Sequence, residues 1–432
     1  MSLLSLRGAA WWAVLSGLLL AAPLSLAAQD STYRIRVMHY NLLNFGINLN
    51  DCTFDVQRYQ ELEVILNHYQ PHLFTVNEIG LSTLYPTNVL RECFTYPNQM
   101  ARTSSTNQAG GDRTNHLFYD ESLFGLISQS VIPSRNLRDI NLYELYLKPS
   151  VALGDTVYLS CLVAHLKAGD SSSDVAQRDE ATQDIMSWVA TEGQGKNLLL
   201  LGDLNLNNSA EVSFQNLIAP ANAALAWRDP VGVPSGWSGQ AFAGIHTQST
   251  RSSGSGCFAG GGLDDRFDFI LSSASVLDSS LGLAYQAGSY QALGNAGNSY
   301  NAELLCGSGN SSLPTPVCVA LRNMSDHLPV VMTLAVEGPA VTALPLATQL
   351  GLRLGPNPVG DQVALILSAP AAMTATLRLE ICDATGRPLL RRPWPARQAR
   401  LVLDSHAWPA GLYLLRLVAP DGSRLQRKLL KS

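Results

Sequence analysis

Polar side chains with catalytic or metal-binding chemistry follow apolar runs at several points in this sequence. Segment 197–205, NLLLLGDLN, places Asp203 and Asn205 directly after four leucines. Such a run predicts a strand buried on both faces, and side chains two residues apart point the same way along a strand. A carboxylate and an amide there are costly unless a polar group or a metal meets them. A strand-to-loop turn also explains this segment taken alone, because Gly, Asp and Asn are common turn residues.

Five further segments repeat the pattern, so turn chemistry is an inadequate explanation for the whole set. Carboxylate and amide oxygens are preferred ligands of hard divalent cations, and histidine is the usual proton-transfer group near neutral pH. His165 taken alone is better explained by a satisfied core histidine. The five segments are HYNLLNF with Asn41, LFTVNEIG with Glu78, CLVAHLKAG with His165, RFDFIL with Asp268, and MSDHLPVVM with Asp326 and His327.

The elements that must position these residues alternate between strands and helices. Helices are predicted at 55–69, where one face is apolar, and at 174–191. Residues 285–320 are rich in Gly, Ser, Asn and Pro and predict a long loop. Strands interleaved with helices indicate an α/β domain. The predicted strands are YRIRVMHYNLLNF (33–45), HLFTVNEI (72–79), NHLFYD (115–120), ELYLKP (144–149), DTVYLSCLVAHLKAG (155–169), NLLLLGDLN (197–205), DRFDFILSS (265–273) and SDHLPVVMTLAV (325–336).

In order and context, the motifs NEI, VAHLKAG, GDLN and SDHLPV resemble those of the endonuclease/exonuclease/phosphatase superfamily, which has the deoxyribonuclease I-like fold. The resemblance covers residues 33–336. It implies a four-layer α/β sandwich, in which two β-sheets pack face to face with helices outside and the active site lies where strand ends converge. It also implies hydrolysis of a phosphodiester with Mg²⁺ as cofactor, or Mn²⁺ in its place.

The resemblance further implies a role for each residue. Asp203 and Asn205 would position the attacking water and the phosphoryl oxygens. Asp268 would hold His327, which serves either as general base or as a cation that stabilises the phosphate. His165 would contact the phosphate or protonate the leaving group. The implied metal ligands are Glu78, Asn41 and Asp326, and the implied catalytic residues are His165, Asp203, Asn205, Asp268 and His327.

Four positions near these motifs stay open in the sequence. Asp112 is a candidate acidic partner for His165, and either Asn115 or Arg113 is placed to reach substrate. Arg178 follows the HLKAG motif on a predicted helix, where a solvated cation is the better interpretation than a brace for the site.

The charge distribution divides the chain into two parts. Residues 30–345 carry a net charge of -13, whereas residues 346–432 carry +7. A region this acidic shows no electrostatic sign of nonspecific nucleic-acid binding. Cations with the chemistry for contacts to a polyanion are Lys167, Arg113, Arg251 and Arg266.

The sequence favours an extracellular nuclease as the function, and two other classes stay open. A phosphatase or a phospholipid phosphodiesterase would use the same catalytic residues, because one fold hosts several such activities. A lipid enzyme needs an exposed apolar hairpin, and the sequence offers none of convincing hydrophobicity, which tilts the choice toward nucleic acid. A noncatalytic surface adhesin is disfavoured because every expected metal and histidine position is filled.

The chain of 432 residues, with 46% hydrophobic composition, suits two or three domains. Residues 1–28 have the pattern of a secretory signal peptide, with one early cation followed by an apolar stretch. The predicted catalytic domain spans 30–336 and a linker spans 337–349. Beyond it, short strands predict a small all-β sandwich over 350–432. No later segment resembles a membrane span, and we expect a monomer.

The C-terminal part resembles the sorting domain of type IX secretion cargo. The motifs are LGPNPVGDQVAL, EICDATGRPLL and WPAGLYLLRLVAPDG, followed by a basic end. The resemblance implies type IX machinery as a partner and export to the outside or outer-membrane surface of a didermic bacterium. A β-sandwich that binds carbohydrate or cells is the alternative.

Seven cysteines in an exported chain allow up to three disulfides. Cys161 and Cys382 lie in strand-like runs and are expected to be buried thiols. For the cysteines in loop-like contexts, Cys52–Cys93 and Cys306–Cys318 are the preferred pairs, although connectivity does not follow from sequence.

Overall fold

The structure is a computed structural model. It describes residues 31–48, 55–149, 156–232, 236–310, 312–338, 351–355, 357–368, 376–384, 387–395, 398–418 and 424–432. The predicted signal peptide and most of the predicted linker lie outside these residues. Within the described ranges, no helix has the length and apolar character needed to cross a membrane.

Twelve strands precede residue 339 in the described part of the chain. They are β1 (Ser31–Phe45), β2 (Leu73–Gly80), β3 (Met100–Arg102), β4 (Arg113–Asp120), β5 (Phe124–Val131), β6 (Asn141–Leu147), β7 (Tyr158–His165), β8 (Leu198–Asp203), β9 (Asp268–Ser272), β10 (Leu283–Tyr285), β11 (Gln291–Ala292) and β12 (Val330–Gly338).

These strands form two sheets. The order of the first is β10-β12-β1-β2-β4-β3, with β11 also paired to β12, and the order of the second is β5-β6-β7-β8-β9. In each sheet one pair is parallel, β1 with β2 and β7 with β8, and the other pairs are antiparallel. Five of the eight residues singled out in the sequence lie in or just after the carboxyl-terminal parts of β1, β2, β7 and β8, whereas Asp268 begins β9, and Asp326 and His327 precede β12.

The six α-helices of the described residues complete the layers. Helices α1 and α6 pack on the outer face of the first sheet, and α3 and α4 on that of the second. The helices are α1 (Gln57–Tyr69), α2 (Leu84–Asn88), α3 (Ser172–Trp188), α4 (Val212–Ile218), α5 (Ala274–Asp278) and α6 (Thr315–Met324), with π-helical turns at Val89–Cys93 and Val189–Gly193 and 3₁₀ turns at Ala223–Leu225, Gln240–Ile245 and Gly307–Gly309.

The leucine run of β8 shows why four layers form. Leu199 and Leu201 pack in the core between the two sheets, whereas Leu198 and Leu200 pack under the helices outside the second sheet. Side chains alternate across a strand, so a strand that is covered on both faces needs an unbroken apolar run. The predicted strand, buried on both faces, is confirmed, and so is the predicted four-layer α/β fold.

The predicted long loop at 285–320 is wrong in part. It contains β11 and the first residues of α6, which runs from Thr315 to Met324. Val317, Leu321 and Met324 are buried and recur at helical spacing, so α6 packs on the first sheet. The surrounding Gly, Ser and Pro concealed this short amphipathic segment.

The C-terminal part forms two antiparallel sheets around a separate apolar core. Their orders are β13-β14-β17 and β16-β15-β18-β19, and Leu365, Leu379, Leu415 and Trp394 pack between them. The predicted all-β sandwich is therefore confirmed. The strands are β13 (Gly351–Gly355), β14 (Gln362–Ser368), β15 (Leu377–Asp383), β16 (Pro388–Trp394), β17 (Arg400–Asp404), β18 (Gly411–Val418) and β19 (Arg424–Lys431).

The cysteines bear out one of the two predicted pairs. Cys306 and Cys318 are disulfide-bonded, and Cys161 and Cys382 are buried thiols as expected. The pair Cys52–Cys93 is wrong, because Cys93 is a buried free thiol whose sulfur lies 3.3 Å from the carbonyl of Tyr59. Cys52 lies outside the described residues.

Two buried histidines, His72 and His116, lie outside the predicted site, and because of them we expect acid to destabilise the fold. Burial lowers the pKa of His72 to about 3 and that of His116 to about 4. Both values lie below the unfolded value of about 6.5, so the unfolded chain binds the proton more readily, and stability falls as pH drops below about 6.5. Protonation linked to each histidine should lower the unfolding free energy at pH 4.5 by roughly 2.5 kcal/mol relative to neutral pH.

Urea unfolding at pH 7 and pH 4.5 tests this expectation. Between pH 7 and pH 4.5, the unfolding free energy of the double variant His72→Asn/His116→Asn should fall less than that of the native chain. An equal fall for the two proteins would show that other groups govern acid stability.

Candidate active site

Strand register brings three of the predicted catalytic residues side by side. His165 ends β7 and is the parallel partner of Asp203 at the end of β8, and Asp203 is the antiparallel partner of Asp268 at the start of β9. His165 Nε2 lies 3.6 Å from Asp203 Oδ2. All three side chains are buried. Neighbouring strands of the second sheet therefore hold Asp203 between the imidazole of His165 and the carboxylate of Asp268.

Glu78 reaches the same place from the first sheet. It has a φ of 60° and lies where the pairing of β2 with β4 shifts register. A left-handed backbone is unusual for a residue other than glycine, so this geometry identifies a specialised position. Its Oε1 lies 3.7 Å from His165 Nε2, and its Oε2 accepts a hydrogen bond from the Asn44 amide at 2.9 Å. The Arg113 guanidinium lies 3.4 Å from Oε2.

Asn41 links the two sheets through its side-chain amide. Its Nδ2 donates to Asp203 Oδ2 at 2.9 Å and to Glu78 Oε1 at 3.2 Å. Its Oδ1 accepts a hydrogen bond from the Leu43 amide at 2.9 Å. The amide nitrogen therefore faces the carboxylates, which makes Asn41 a bridge in this structure, and its predicted role as a metal ligand stays a prediction.

His327 and Asp268 form a close buried pair. His327 Nδ1 lies 2.7 Å from Asp268 Oδ2, and Nε2 lies 3.8 Å from Asp203 Oδ2. Burial alone would lower the pKa of His327, but the carboxylates of Asp268 and Asp203 raise it well above its usual value. The geometry therefore favours an imidazolium with its Nε2 side toward the site.

Burial of Asp203 favours its neutral form, whereas the surroundings of His327 favour its charged form. Burial raises the pKa of Asp203, the nearby His327 lowers it and the carboxylate of Asp268 raises it, which together bring the pKa to about 7. Asp203 Oδ1 accepts a hydrogen bond from the Asn205 amide at 3.1 Å. A carboxylate that titrates near neutral pH is suited to accept a proton there.

His165 is held in the neutral form. Burial lowers its pKa well below the usual value, and the nearby guanidinium of Arg138 lowers it further. Its Nδ1 is buried without a hydrogen-bond partner among the described residues. A neutral imidazole offers one N–H donor and one acceptor, which suits contact with a phosphate oxygen better than release of a proton.

The strand geometry expected at Asn205 does not hold. β8 ends at Asp203, and Asn205 has a φ of 49°, so the two side chains do not follow a strand alternation. Asn205 is buried, and its Nδ2 donates to the Leu166 carbonyl at 3.3 Å. The chain turns here because Asn adopts the left-handed conformation more readily than most residues.

Asp326 lies beside the cluster rather than within its closest part. Its Oδ2 accepts a hydrogen bond from the Ala259 amide at 2.9 Å, whereas Oδ1 is buried without a partner among the described residues. Burial raises its pKa. An unpartnered buried carboxylate oxygen is costly unless a cation or water meets it.

These side chains fit a divalent cation. Ligand atoms of Glu78, His165 and Asp203 lie within 4.8 Å of one another, as do those of Asp203, Asp268 and His327. Two carboxylates share the single amide of Asn41, and the free oxygen of Asp326 adds a further acceptor. Converging carboxylate oxygens are a donor set suited to a hard divalent cation.

Two further groups at this edge were missed in the sequence. Asn77 Oδ1 accepts a hydrogen bond from the Asp203 amide at 2.8 Å and so ties β2 to β8. His39 is buried, with Nε2 3.8 Å from Asp268 Oδ1, and burial lowers its pKa to about 4. Polar residues inside apolar alternation, as in VNEI and MHYN, were the available signal.

The segment before His327 is fixed by two more missed residues. Ser325 Oγ donates to the Asn41 carbonyl at 2.8 Å and accepts from the His327 amide at 3.1 Å. The Gln248 side-chain amide lies 2.9 Å from His327 Nε2. Gln248 gives no recognisable signal in the sequence, because its position depends on a loop that folds back over the site.

The open positions take different places from those expected. Asp112 is exposed and pairs with Arg113 at 2.9 Å, and the carboxylates within 4 Å of His165 Nε2 are Glu78 and Asp203. Asn115 is buried and donates to the Val163 carbonyl at 3.3 Å, so its side chain links the two sheets.

Two arginines that looked available are buried in ion pairs. Arg178 is fully buried, with Nε 2.7 Å from Glu211 Oε1, and it also donates to the Lys167 carbonyl at 2.8 Å. The expected solvated cation is therefore wrong, and Arg178 braces the segment after His165. Arg266 is likewise fully buried against Asp229 at 2.7 Å, so it is not available to a polyanion.

Comparison with solved structures finds chains of similar fold. The chain is similar to an endonuclease/exonuclease/phosphatase from Beutenbergia cavernae, with 15% identity, a TM-score of 0.43, and coverage of 92% of this chain and 99% of that chain. It is similar to the human Nocturnin catalytic domain with bound sulfate (15% identity, TM-score 0.44, coverage 71% and 97%). It is also similar to a mannosyl-6-phosphatase from Bacteroides thetaiotaomicron, with 14% identity, a TM-score of 0.44, and coverage of 69% of this chain and 99% of that chain.

The other comparisons give no match. No protein-family model matches the sequence, and no curated protein matches it significantly.

Proposed function

We propose that this protein is a metal-dependent phosphoester hydrolase that acts on phosphodiesters. The observation that carries the proposal is the buried convergence of Glu78, His165 and Asp203 with the His327–Asp268 pair at 2.7 Å. An acceptor for a water proton, an imidazolium and a set of oxygen ligands are the groups that phosphoryl transfer to water requires.

The residues divide the work according to their protonation states. Asp203 accepts a proton from the attacking water, whose oxygen forms the new bond to phosphorus. His327, held by Asp268, stabilises the developing charge on a phosphoryl oxygen. The bond to the leaving oxygen breaks while that oxygen accepts a hydrogen bond from His165, and the leaving oxygen then takes a proton from solvent water. Asn205 positions the phosphoryl group beside Asp203.

Glu78 is the proposed principal ligand of the cation, with Asp326 and Asn41 beside it. When bound, Mg²⁺ or Mn²⁺ supplies positive charge that polarises the phosphoryl oxygens. Glu78 suits this role because both of its carboxylate oxygens are oriented by hydrogen bonds. The Asn44 backbone amide donates to Oε2, and the Asn41 side-chain amide donates to Oε1.

A panel of phosphoesters tests the proposal. Plasmid DNA, RNA, bis(4-nitrophenyl) phosphate, 4-nitrophenyl phosphate and sphingomyelin should be incubated with the full chain in Mg²⁺, in Mn²⁺ and in EDTA. We expect cation-dependent hydrolysis of the diesters. Hydrolysis that persists in EDTA, or no hydrolysis of any phosphoester, would overturn the proposal.

Within this class we propose an extracellular nuclease. Monoester hydrolysis is the second candidate, and it would show as a preference for 4-nitrophenyl phosphate in the same panel. A phospholipid phosphodiesterase would instead cleave sphingomyelin best.

We also propose that residues 350–432 are a sorting domain for type IX secretion, which places the mature enzyme outside the cell or on the outer-membrane surface. The two small sheets around Leu379 and Trp394 support a unit with its own core. A β-sandwich that binds carbohydrate or cells is the alternative.

Deleting residues 350–432 should leave catalysis by the purified protein unchanged. The reason is that all eight proposed site residues precede residue 328. In a host with the type IX machinery, the shortened protein should remain in the periplasm, as measured by activity in cell fractions. A purified truncated enzyme that has lost activity on polymers would make the C-terminal part a substrate-binding module.

A further inference from the structure

A glycine- and serine-rich arm, residues 249–262, folds back on itself beside the site. The Ser249 amide donates to the Gly262 carbonyl at 2.6 Å, the Gly262 amide donates to the Arg251 carbonyl at 2.9 Å, and the Gly261 amide donates to the Ser252 carbonyl at 3.1 Å. Residues 252–256 are exposed. The arm is thus a hairpin-like projection with a defined shape.

The arm is fastened directly to the candidate site. The Ala259 amide donates to Asp326 Oδ2 at 2.9 Å, and the Thr250 amide donates to the Asp326 carbonyl at 3.0 Å. Gln248, which immediately precedes the arm, lies 2.9 Å from His327 Nε2. The base of the arm is therefore anchored at the candidate site.

Arg251 and Phe258 form a stacked pair within the arm. The Arg251 guanidinium carbon lies 3.6 Å from the centroid of the Phe258 ring, and both residues are half-buried. One guanidinium nitrogen donates to the Arg322 carbonyl at 3.4 Å. Among the described residues, no carboxylate lies within 4 Å of this guanidinium, in contrast to the ion-paired Arg178 and Arg266.

We propose that the Arg251–Phe258 pair is a subsite for single-stranded nucleic acid, which rests on the phosphodiesterase function proposed above. A guanidinium stacked on an aromatic ring keeps its N–H donors for a phosphate and presents a planar face on which a base can stack. Only an unpaired strand frees a base for such stacking next to the phosphate at the site.

The composition of the arm argues against a lipid surface as the partner. Its exposed residues are Ser, Gly and Ala, whereas interfacial insertion uses Trp, Phe or Leu side chains. The local cation also explains how an acidic protein could hold a polyanion, because Arg251 supplies positive charge at the point where the strand passes.

Binding of a labelled single strand tests the subsite. Fluorescence anisotropy of DNA and RNA oligonucleotides of about twelve nucleotides should be measured with the full chain. The measurement is made once in Mg²⁺ and once in EDTA, which prevents hydrolysis. We expect Arg251→Ala to raise Kd about 10-fold and to lower the slope of log K against log salt by about 1. Phe258→Leu should weaken binding with little change in that slope, because it removes stacking and not charge.

Arg135→Ala is the matched control, since Arg135 is an exposed arginine that pairs with Asp184 on α3 at 2.7 Å. It should leave Kd unchanged. Arg251→Lys, which keeps the charge but loses the planar face, should give an intermediate Kd. If Arg251→Ala binds as tightly as the native chain, or if the native chain binds vesicles of sphingomyelin and no oligonucleotide, the subsite is wrong.

Hydrolysis of bis(4-nitrophenyl) phosphate separates the two proposals. If the native chain cleaves this diester but binds no single strand, the proposed function is supported and the subsite is wrong. If the chain binds single strands through Arg251 but cleaves no phosphoester, the subsite is supported and the proposed function is wrong. If Arg251→Ala lowers the rate of hydrolysis equally for the small diester and for the oligonucleotide, Arg251 has a structural role and the subsite is wrong.

Discussion

Glu78→Gln is expected to lower turnover of a phosphodiester by at least about 100-fold while the protein keeps its fold. A neutral amide is a poor ligand for a hard cation, whereas glutamine has the shape of glutamate and can still accept the Asn44 amide. Initial rates over a range of Mg²⁺ concentrations and thermal melts measure the two effects. Calorimetric titration with Mg²⁺ should also show weaker binding to the variant.

Glu92→Gln is the matched control. Glu92 is exposed and pairs only with its neighbour Arg91, at 2.6 Å, among the described residues. This change should leave rates, melts and cation binding as in the native protein. If Glu78→Gln keeps its rate in the presence of EDTA, the proposed cation site is wrong.

Asp203→Asn and Leu200→Ala should separate the chemical end of β8 from its structural part. We expect Asp203→Asn to lower turnover by at least about 100-fold, because the proposed proton acceptor is lost. Its stability should stay within about 1 kcal/mol of the native value or rise. The pKa of Asp203 is raised to about 7, so its ionisation opposes folding as pH rises from about 4 to 7, and the variant lacks that cost.

Leu200→Ala should have the opposite profile. Leu200 is fully buried in the core beneath the helices of the second sheet, so its truncation should cost about 2–5 kcal/mol of stability. Turnover per folded molecule should change far less than in Asp203→Asn. Thermal melts and initial rates on both variants decide the matter. An Asp203→Asn protein that melts far below the native protein and keeps its rate would make Asp203 a structural turn residue.

Local sequence pattern determined the elements that carry the site. The run from Leu198 to Leu201 predicted a strand covered on both faces, because alternation along a strand requires apolar residues at every position there. The helix predicted at 55–69 begins at Gln57 and ends at Tyr69. Patterns of this kind are local, so they can be read without knowledge of distant contacts.

The pairing of polar residues was decided only by the tertiary structure. Arg178 looked like a solvated helix cation, but Glu211 lies 33 residues later and takes it into the interior. In the same way Cys93 lies in a loop-like sequence yet is a buried thiol. Partners far apart in sequence leave no periodic signal, and burial of a charge depends on whether such a partner arrives.

Within the site, the sequence by itself determined which residue types stand at strand ends, and the tertiary structure decided what each one touches. Register across β7, β8 and β9 aligns His165, Asp203 and Asp268, and no single segment contains that alignment. The hydrogen bond from Asn41 to Asp203 and the contact of Gln248 with His327 likewise join residues that lie 162 and 79 positions apart. The physical reason is that protonation states and ligand geometry arise from distances of a few ångströms, which only the packing of two sheets and a loop creates.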